Sequence, residues 1–440
     1  MTQAGHRWWV WAGAAAVGIG LLTWGLRRSV SSPAPAATHA KALRGKPRPA
    51  ASLPSTDADV YLTNLDGEIS ELTRLMGVNG KTSATLLMAS GAVHTRGRYR
   101  GDLDEIQRGI ALTTECVELA PAEPNCLLAR AEQEQSLHRF PAARADVERA
   151  RGLGGDPTRI ADLLAELDWN EGRYDGPMAH FREARQQRPS TGTWLREAQL
   201  EHDLGGDEAA ERAFERAEDR VADTAPFPIA HLNLQRGMHE VDRGRLEEAC
   251  VFFREAIARM PTYVAALEHL AETLRTLGRD AEAMTLYEQV TRLSTDPEFA
   301  FALATLYDAH DRKAEAAALH EKARAGYEAL LQKYPEAMYW HASEYFAAKG
   351  DANRAHELLQ KNLVLRPNSG SYVALAKVLL ALGRIPEAAE AIDKALAMPL
   401  KSAALFWTAA RVKRAQADIP AATTFEAQAR ALNPRIATAE

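Results

Sequence analysis

The chain has little cysteine, few aromatic residues and no recognisable catalytic motif. Only Cys116, Cys126 and Cys250 occur in 440 residues. An odd count without C-x-x-C spacing excludes a zinc ribbon or a dithiol redox motif. Cys116 and Cys126 flank the turn at Pro121, where an αα-hairpin could bring them together as a disulfide. Two small buried helix residues is the simpler reading of the pair. No Gly-rich phosphate loop follows a strand pattern, and neither G-x-S-x-G nor H-E-x-x-H is present. Asp and Glu are abundant, but on solvated helices that is their ordinary place. Val and Ile are sparse beside Ala and Leu, as in helices. We expect an all-α protein that is not an enzyme and uses no cofactor.

Acidic residues are missing from one region. Residues 1–56 hold Arg7, Arg27, Arg28, Lys41, Arg44, Lys46 and Arg48 and no Asp or Glu. The chain as a whole has 53 basic and 59 acidic residues, so the remainder has 46 against 59, a net of −13. Nucleic-acid binding needs a basic face to neutralise phosphate, and this composition argues against it.

One long uncharged apolar run exists, the 19 residues from Trp8 to Leu26. It is long enough to span a bilayer as a helix, and Trp8, Trp9, Trp11 and Trp24 sit where interfacial belts would fall. A cleaved signal peptide is the rival reading, but Arg27 and Arg28 occupy the place of a small-residue cleavage site. We expect residues 1–28 to be a single-pass anchor in a bacterial inner membrane. Positive charge after the run favours a cytoplasmic domain, whereas the Ala/Pro-rich stretch 29–56 favours an exported one, so the side stays open. That stretch reads as a disordered basic linker.

The rest repeats one phrase. Gly237, Gly244, Ala249, Phe253, Ala256 and Pro261 lie in one stretch. Gly278, Ala283, Tyr287 and Val290 follow at matching offsets about 34 residues on. Ala304, Tyr307, Asp311, Ala316 and Ala323 do so again, as do Ala376, Gly383, Ala388, Ile392 and Ala395. Small residues let paired helices approach, the aromatic fills the gap to the next helix, and Gly accepts a left-handed turn. A helix-turn-helix unit of this length and pattern resembles the tetratricopeptide repeat.

The resemblance implies a right-handed superhelical solenoid of about ten repeats. A capping helix is expected in 57–83, with Leu62, Leu65, Ile69, Leu72 and Met76 on one face. A first sub-array covers 84–224 and a second 230–436. Between them, Pro226 and Pro228 in 225–229 are expected to break helical continuity. The helix ending near Tyr334 is expected to be over-long.

In this family the first helix of each unit lines the concave groove, and the fifth residue of the unit faces it. Carried onto this chain, those positions are Leu234, Glu268, Phe301, Trp340, Val373 and Trp407. The resemblance therefore implies a groove that holds a protein or peptide partner. Leu234, Phe301, Trp340 and Trp407 would be its apolar anchors, with Glu344 and Arg411 selecting charge. The other reading of the tryptophans is packing against a neighbouring helix. Some relatives clamp a terminal carboxylate with Lys, Asn and Arg; Arg196, Lys377 and Arg411 lie on groove helices here, but no neighbours complete that set.

A second function class stays in view. His269 and Glu272 sit at the same repeat offsets as His341 and Glu344, each pair i, i+3 on one helical face. With Glu268 and His231 nearby, these groups could hold zinc or another divalent ion. The leading expectation is a membrane-tethered scaffold or adaptor for a membrane or envelope complex, held to the membrane by its N-terminal helix. The alternative is a metal- or small-ligand-binding envelope factor.

Overall fold

The computed structural model describes residues 53–222 and 224–436. Among them there are 21 α-helices and no strand. The array opens with α1 (Ala58–Asn79). Pairs one to three are α2 (Ser83–Arg100) with α3 (Leu103–Leu119), α4 (Pro124–Ser136) with α5 (Phe140–Gly152), and α6 (Pro157–Asn170) with α7 (Asp175–Gln187). Pairs four to six are α8 (Thr191–Asp203) with α9 (Asp207–Glu218), α10 (Pro226–Asp242) with α11 (Leu246–Arg259), and α12 (Val264–Thr276) with α13 (Asp280–Leu293). Pairs seven and eight are α14 (Pro297–Ala309) with α15 (Lys313–Lys333) and α16 (Pro335–Ala348) with α17 (Ala352–Leu365). Pairs nine and ten are α18 (Ser369–Ala381) with α19 (Ile385–Leu396) and α20 (Ala403–Ala415) with α21 (Ile419–Leu432).

The repeated small residues do what their size allows. Ala131, Ala198, Ala271, Ala304 and Ala376 on first helices are fully buried, as are Ala143, Ala210, Ala283, Ala316 and Ala388 on second helices. Gly237 goes further: a Cβ there would lie 2.4 Å from Cε1 of the buried Phe253 ring. The turn inside each pair holds one residue of left-handed backbone. Seven of these are glycines; the other three are His138, Asp311 and Ala417, with φ of 57°, 59° and 63°. α15 runs to 21 residues and carries its C-terminal end against the first pair.

Three expectations are corrected. The stretch 225–229 is not a loop between helices: α9 ends at Glu218, Pro226 begins α10 and Pro228 lies in its first turn. First-turn amides have no intrahelical acceptor, so a residue without N–H costs nothing there. Cys116 and Cys126 are joined as a disulfide across the turn at Pro121, while Cys250 is a buried thiol. The single-pass inner-membrane placement is not upheld. Among the described residues no helix is long and apolar enough to cross a membrane. The apolar run 8–26 and the linker through residue 52 lie outside the described residues.

The coil closes on itself. Tyr174, in the turn of pair three, accepts through its hydroxyl a 3.2 Å bond from the Ser369 amide. Asn368 Nδ2 donates to the Asn170 carbonyl at 3.2 Å. In pair four the Asp203 carbonyl accepts from the Lys401 amide at 2.7 Å. In pair five Gly244 lies against Asn433, so close that a Cβ would be 2.3 Å from its Oδ1. Turns of pairs three, four and five thus meet the chain five pairs later. Earlier in the chain, Asp104 accepts from Lys333 Nζ at 2.7 Å and from the Tyr334 hydroxyl, over a shared apolar patch of Ile106, Ile110, Leu137, Tyr334 and Ala337. Successive superhelical turns are therefore sealed edge to edge.

Candidate functional site

First helices of successive pairs touch one another, α2 with α4, α4 with α6, α10 with α12 and α18 with α20, as well as their own partners. They form the inner, more crowded layer. Five to six pairs per turn, at an interaxial spacing of about 9 Å, make a ring of radius about 8 Å, and each helix with its side chains occupies about 5–6 Å of that. The inner space suits side chains or one extended strand, not a further helix.

This crowding settles where the aromatic stripe goes. Leu234, Phe301 and Trp340 are each only 4% exposed and belong to the core. Phe301 packs edge-on to Tyr345, ring centroids 4.9 Å apart, with His320 at 5.6 Å. These three residues are not anchors for a partner; the tight coil turns the family's groove face into core. Trp407 is half-buried among Ala403, Ala429 and Ile436, under the Arg430 guanidinium 5.8 Å from its ring. It covers the end of the array. Arg411 and Glu344 are half-buried.

The acid and imidazole groups do converge, on the inner faces of α12, α14 and α16. His269 Nδ1 is 3.2 Å from Glu268 Oε2 and 3.9 Å from Glu272 Oε2, and its ring stacks on Phe253. His341 Nδ1 is 3.4 Å from Glu298 Oε2. Asp296 caps α14 by accepting from the Glu298 amide at 3.0 Å. The two histidine pairs, with one repeat between them in sequence, feel one another's field through Glu298, which acts on both imidazoles. His231 does not join them: it is buried and its Nδ1 pairs with the Tyr263 hydroxyl at 3.1 Å.

The cluster is rich in negative charge held close together. Burial pushes the Glu344 carboxyl up to about 8, against the pull of His341. Burial likewise raises Glu268. Burial opposes charge on His269, but Glu268 and Glu272 outweigh it and hold the imidazole at about 9. His341 stands at about 9 for the same reason, with Glu298 as the prevailing partner. Five acid groups, Glu268, Glu272, Asp296, Glu298 and Glu344, thus share the field of two imidazoliums, and Glu268 and Glu344, both at about 8, keep their protons at neutral pH. Sequence reading missed Asp296 and Glu298. In sequence, Asp-Pro-Glu at a helix start is a capping signal, its charges complementing the helix dipole. Only the fold sets Glu298 against a histidine of the next repeat.

Residues 240–306 match the family model described as tetratricopeptide repeat. Over those residues the chain carries tetratricopeptide repeats. Solved structures to which the chain is similar include a tetratricopeptide repeat protein from Parabacteroides merdae, 16% identical over 55% of this chain and 93% of that one, with a TM-score of 0.34. Yeast Tom70 is 15% identical over 85% of this chain and 90% of its own, TM-score 0.37. Human IFIT1, solved as a dimer with PPP-AAAA, is 17% identical over 76% and 78%, TM-score 0.45. Likenesses of this size say nothing about a shared ligand. No curated protein matches the chain significantly.

Proposed function

We propose that this tetratricopeptide-repeat protein is a binding module rather than an enzyme. In this reading it takes a cationic, extended segment of a partner protein along the inner faces of α12, α14 and α16. The observation that carries this is the convergence of Glu268, Glu272, Asp296, Glu298 and Glu344, from three successive first helices, around His269 and His341, with Lys377 a further cation whose field reaches Glu344. A lysine or arginine side chain entering there gives Glu268 and Glu344, protonated in the empty site, a cation on which to ionise, and the new carboxylates accept charge-assisted hydrogen bonds. The narrow interior selects an extended strand over a helix. The test is fluorescence anisotropy with an arginine-rich peptide and a neutral control of equal length. Glu268→Gln with Glu344→Gln weakens the cationic peptide by about tenfold or more. Equal affinity of wild type and variant removes the reading.

A second reading keeps the divalent ion. Glu268, His269 and Glu272 bring one ligand atom each within 4.8 Å of one another. Zinc bound there must first displace the proton that holds His269 positive. Calorimetric titration of the protein with zinc alone decides it: no heat beyond dilution excludes the ion.

A further inference from the structure

A different part of the inner wall has the opposite charge, and this inference goes beyond the function proposed above. Arg98 is on the inner face of α2, near its C-terminal end. Its Nε and Nη2 atoms are buried and make no hydrogen bond with the protein. The guanidinium lies over the Phe227 ring, 5.4 Å from its centroid. Phe227 in turn packs edge-on to Tyr263 at 5.3 Å and against His231 at 6.2 Å. The uncharged groups around Arg98 are thus His94 from its own helix, Tyr61 from α1, His231 from α10, and Tyr263 at the start of α12. Tyr263 and His231 share a 3.1 Å hydrogen bond, and His94 Nε2 lies 3.0 Å from Ser136 Oγ. The one carboxylate whose field reaches Arg98 is Glu132. It is taken by Arg159 Nε at 2.8 Å. Arg196, whose field reaches His231, is paired with Glu166.

A buried guanidinium without an anion is costly, because desolvation is not repaid by a partner. Here burial pulls Arg98 down only to about 10, so it stays charged. Both imidazoles are held at about 3, by burial first and by the Arg98 charge second, so they add no competing positive charge. A cation flanked by neutral donors, with every nearby acid engaged elsewhere, is the arrangement of an anion receptor.

We propose that Arg98 binds an oxyanion of the phosphate or carboxylate class between the first and fifth to sixth repeats, helped by the one proton, Tyr263 O–H or His231 N–H, that their shared hydrogen bond leaves free. The guanidinium fork supplies two parallel N–H donors that match two oxygens of such a group. Because the ligand bridges α2 to α10 and α12, it ties the first superhelical turn to the second.

The experiment is calorimetric titration of the full chain with inorganic phosphate and, separately, with acetate, at constant ionic strength set by chloride. We expect one-site binding of one or both anions. The variant Arg98→Met weakens it by about tenfold or more, while Arg100→Met, two residues along the same helix, leaves it unchanged. Phosphate without acetate assigns the phosphate class, and acetate without phosphate the carboxylate class. Should Arg98→Met not fold, the readout is the unfolding temperature of the wild type. Phosphate or acetate, added too dilute for a general salting effect, then raises it above the value in chloride with a saturating one-site dependence, and a shift that never saturates counts against the site. No anion binding by the wild type, or equal loss in Arg98→Met and Arg100→Met, overturns the proposal.

Discussion

The backbone carbonyl of Asp203 accepts a 2.7 Å hydrogen bond from the amide of Lys401, nearly half the chain later. This bond is one of a line of contacts that weld the second superhelical turn to the first. It pairs two backbone groups that would otherwise face water.

The weld is testable at Gly172. Its φ is +78°, and a Cβ there would be 2.4 Å from the Pro367 carbonyl oxygen. Gly350 has φ +83° but nothing within 4 Å. Gly350→Ala therefore bears only the left-handed backbone penalty, about 1 kcal/mol. Gly172→Ala bears that and the clash, about 2–4 kcal/mol together. Urea unfolding measures both. Small-angle scattering should show a larger radius of gyration for Gly172→Ala alone. Equal destabilisation of the two variants contradicts the welded coil.

Ala417 offers the converse. It occupies, at φ 63°, the turn position that glycine fills in seven other repeats. Ala417→Gly relieves the left-handed strain and is expected to stabilise the last repeat by about 0.5–1 kcal/mol. Hydrogen exchange of α20 and α21 checks this locally: protection rises in the variant. Faster exchange there would show that alanine is preferred for its packing.

The acidic cluster sets a pH dependence whose sign is determined. Glu344 at about 8 and His341 at about 9 both stand above their ordinary values of 4.5 and 6.5. A group raised by folding contributes stability that is complete below its unfolded value and lost as pH climbs through its folded value. Above pH 6.5, where the depressed imidazoles of His94 and His231 are neutral folded or unfolded, stability should therefore fall up to pH 9, first through Glu344 and then through His341. In a chain of this size a loss of about 1 kcal/mol lowers Tm by roughly 2–4 °C. Glu344→Gln, locked in the neutral form, should flatten the lower part of that fall and keep the upper. Scanning fluorimetry across this range checks it, and a wild-type profile that rises with pH refutes the assignment.

Much of the fold was legible because it is written repeatedly. Small residues at Ala249 and Ala283, aromatics at Phe253 and Tyr287, and Gly at Gly244 and Gly278 each point to the same unit, and ten such units reinforce one another. What a repeat pattern cannot carry is curvature. Whether Trp340 faces solvent or core depends on how tightly the coil winds, which depends on contacts such as Asn368 with Asn170, far apart in sequence. The same holds at the site. Glu268, His269 and Glu272 were found because they lie on one helix, whereas Glu298 reads as a capping charge until α16 is laid beside it. Pro226 and Pro228 misled for a local reason: the same residue that interrupts a helix is well placed to begin one.

The edge-to-edge seams also bear on the order of synthesis. Solenoid repeats can ordinarily consolidate as soon as a neighbour has emerged. Here the rims of the first five pairs have no mate until the last five have left the ribosome. Half of the molecule must wait with amide and carbonyl groups facing water, and the final act of folding joins segments some two hundred positions apart, the costliest kind of contact to close.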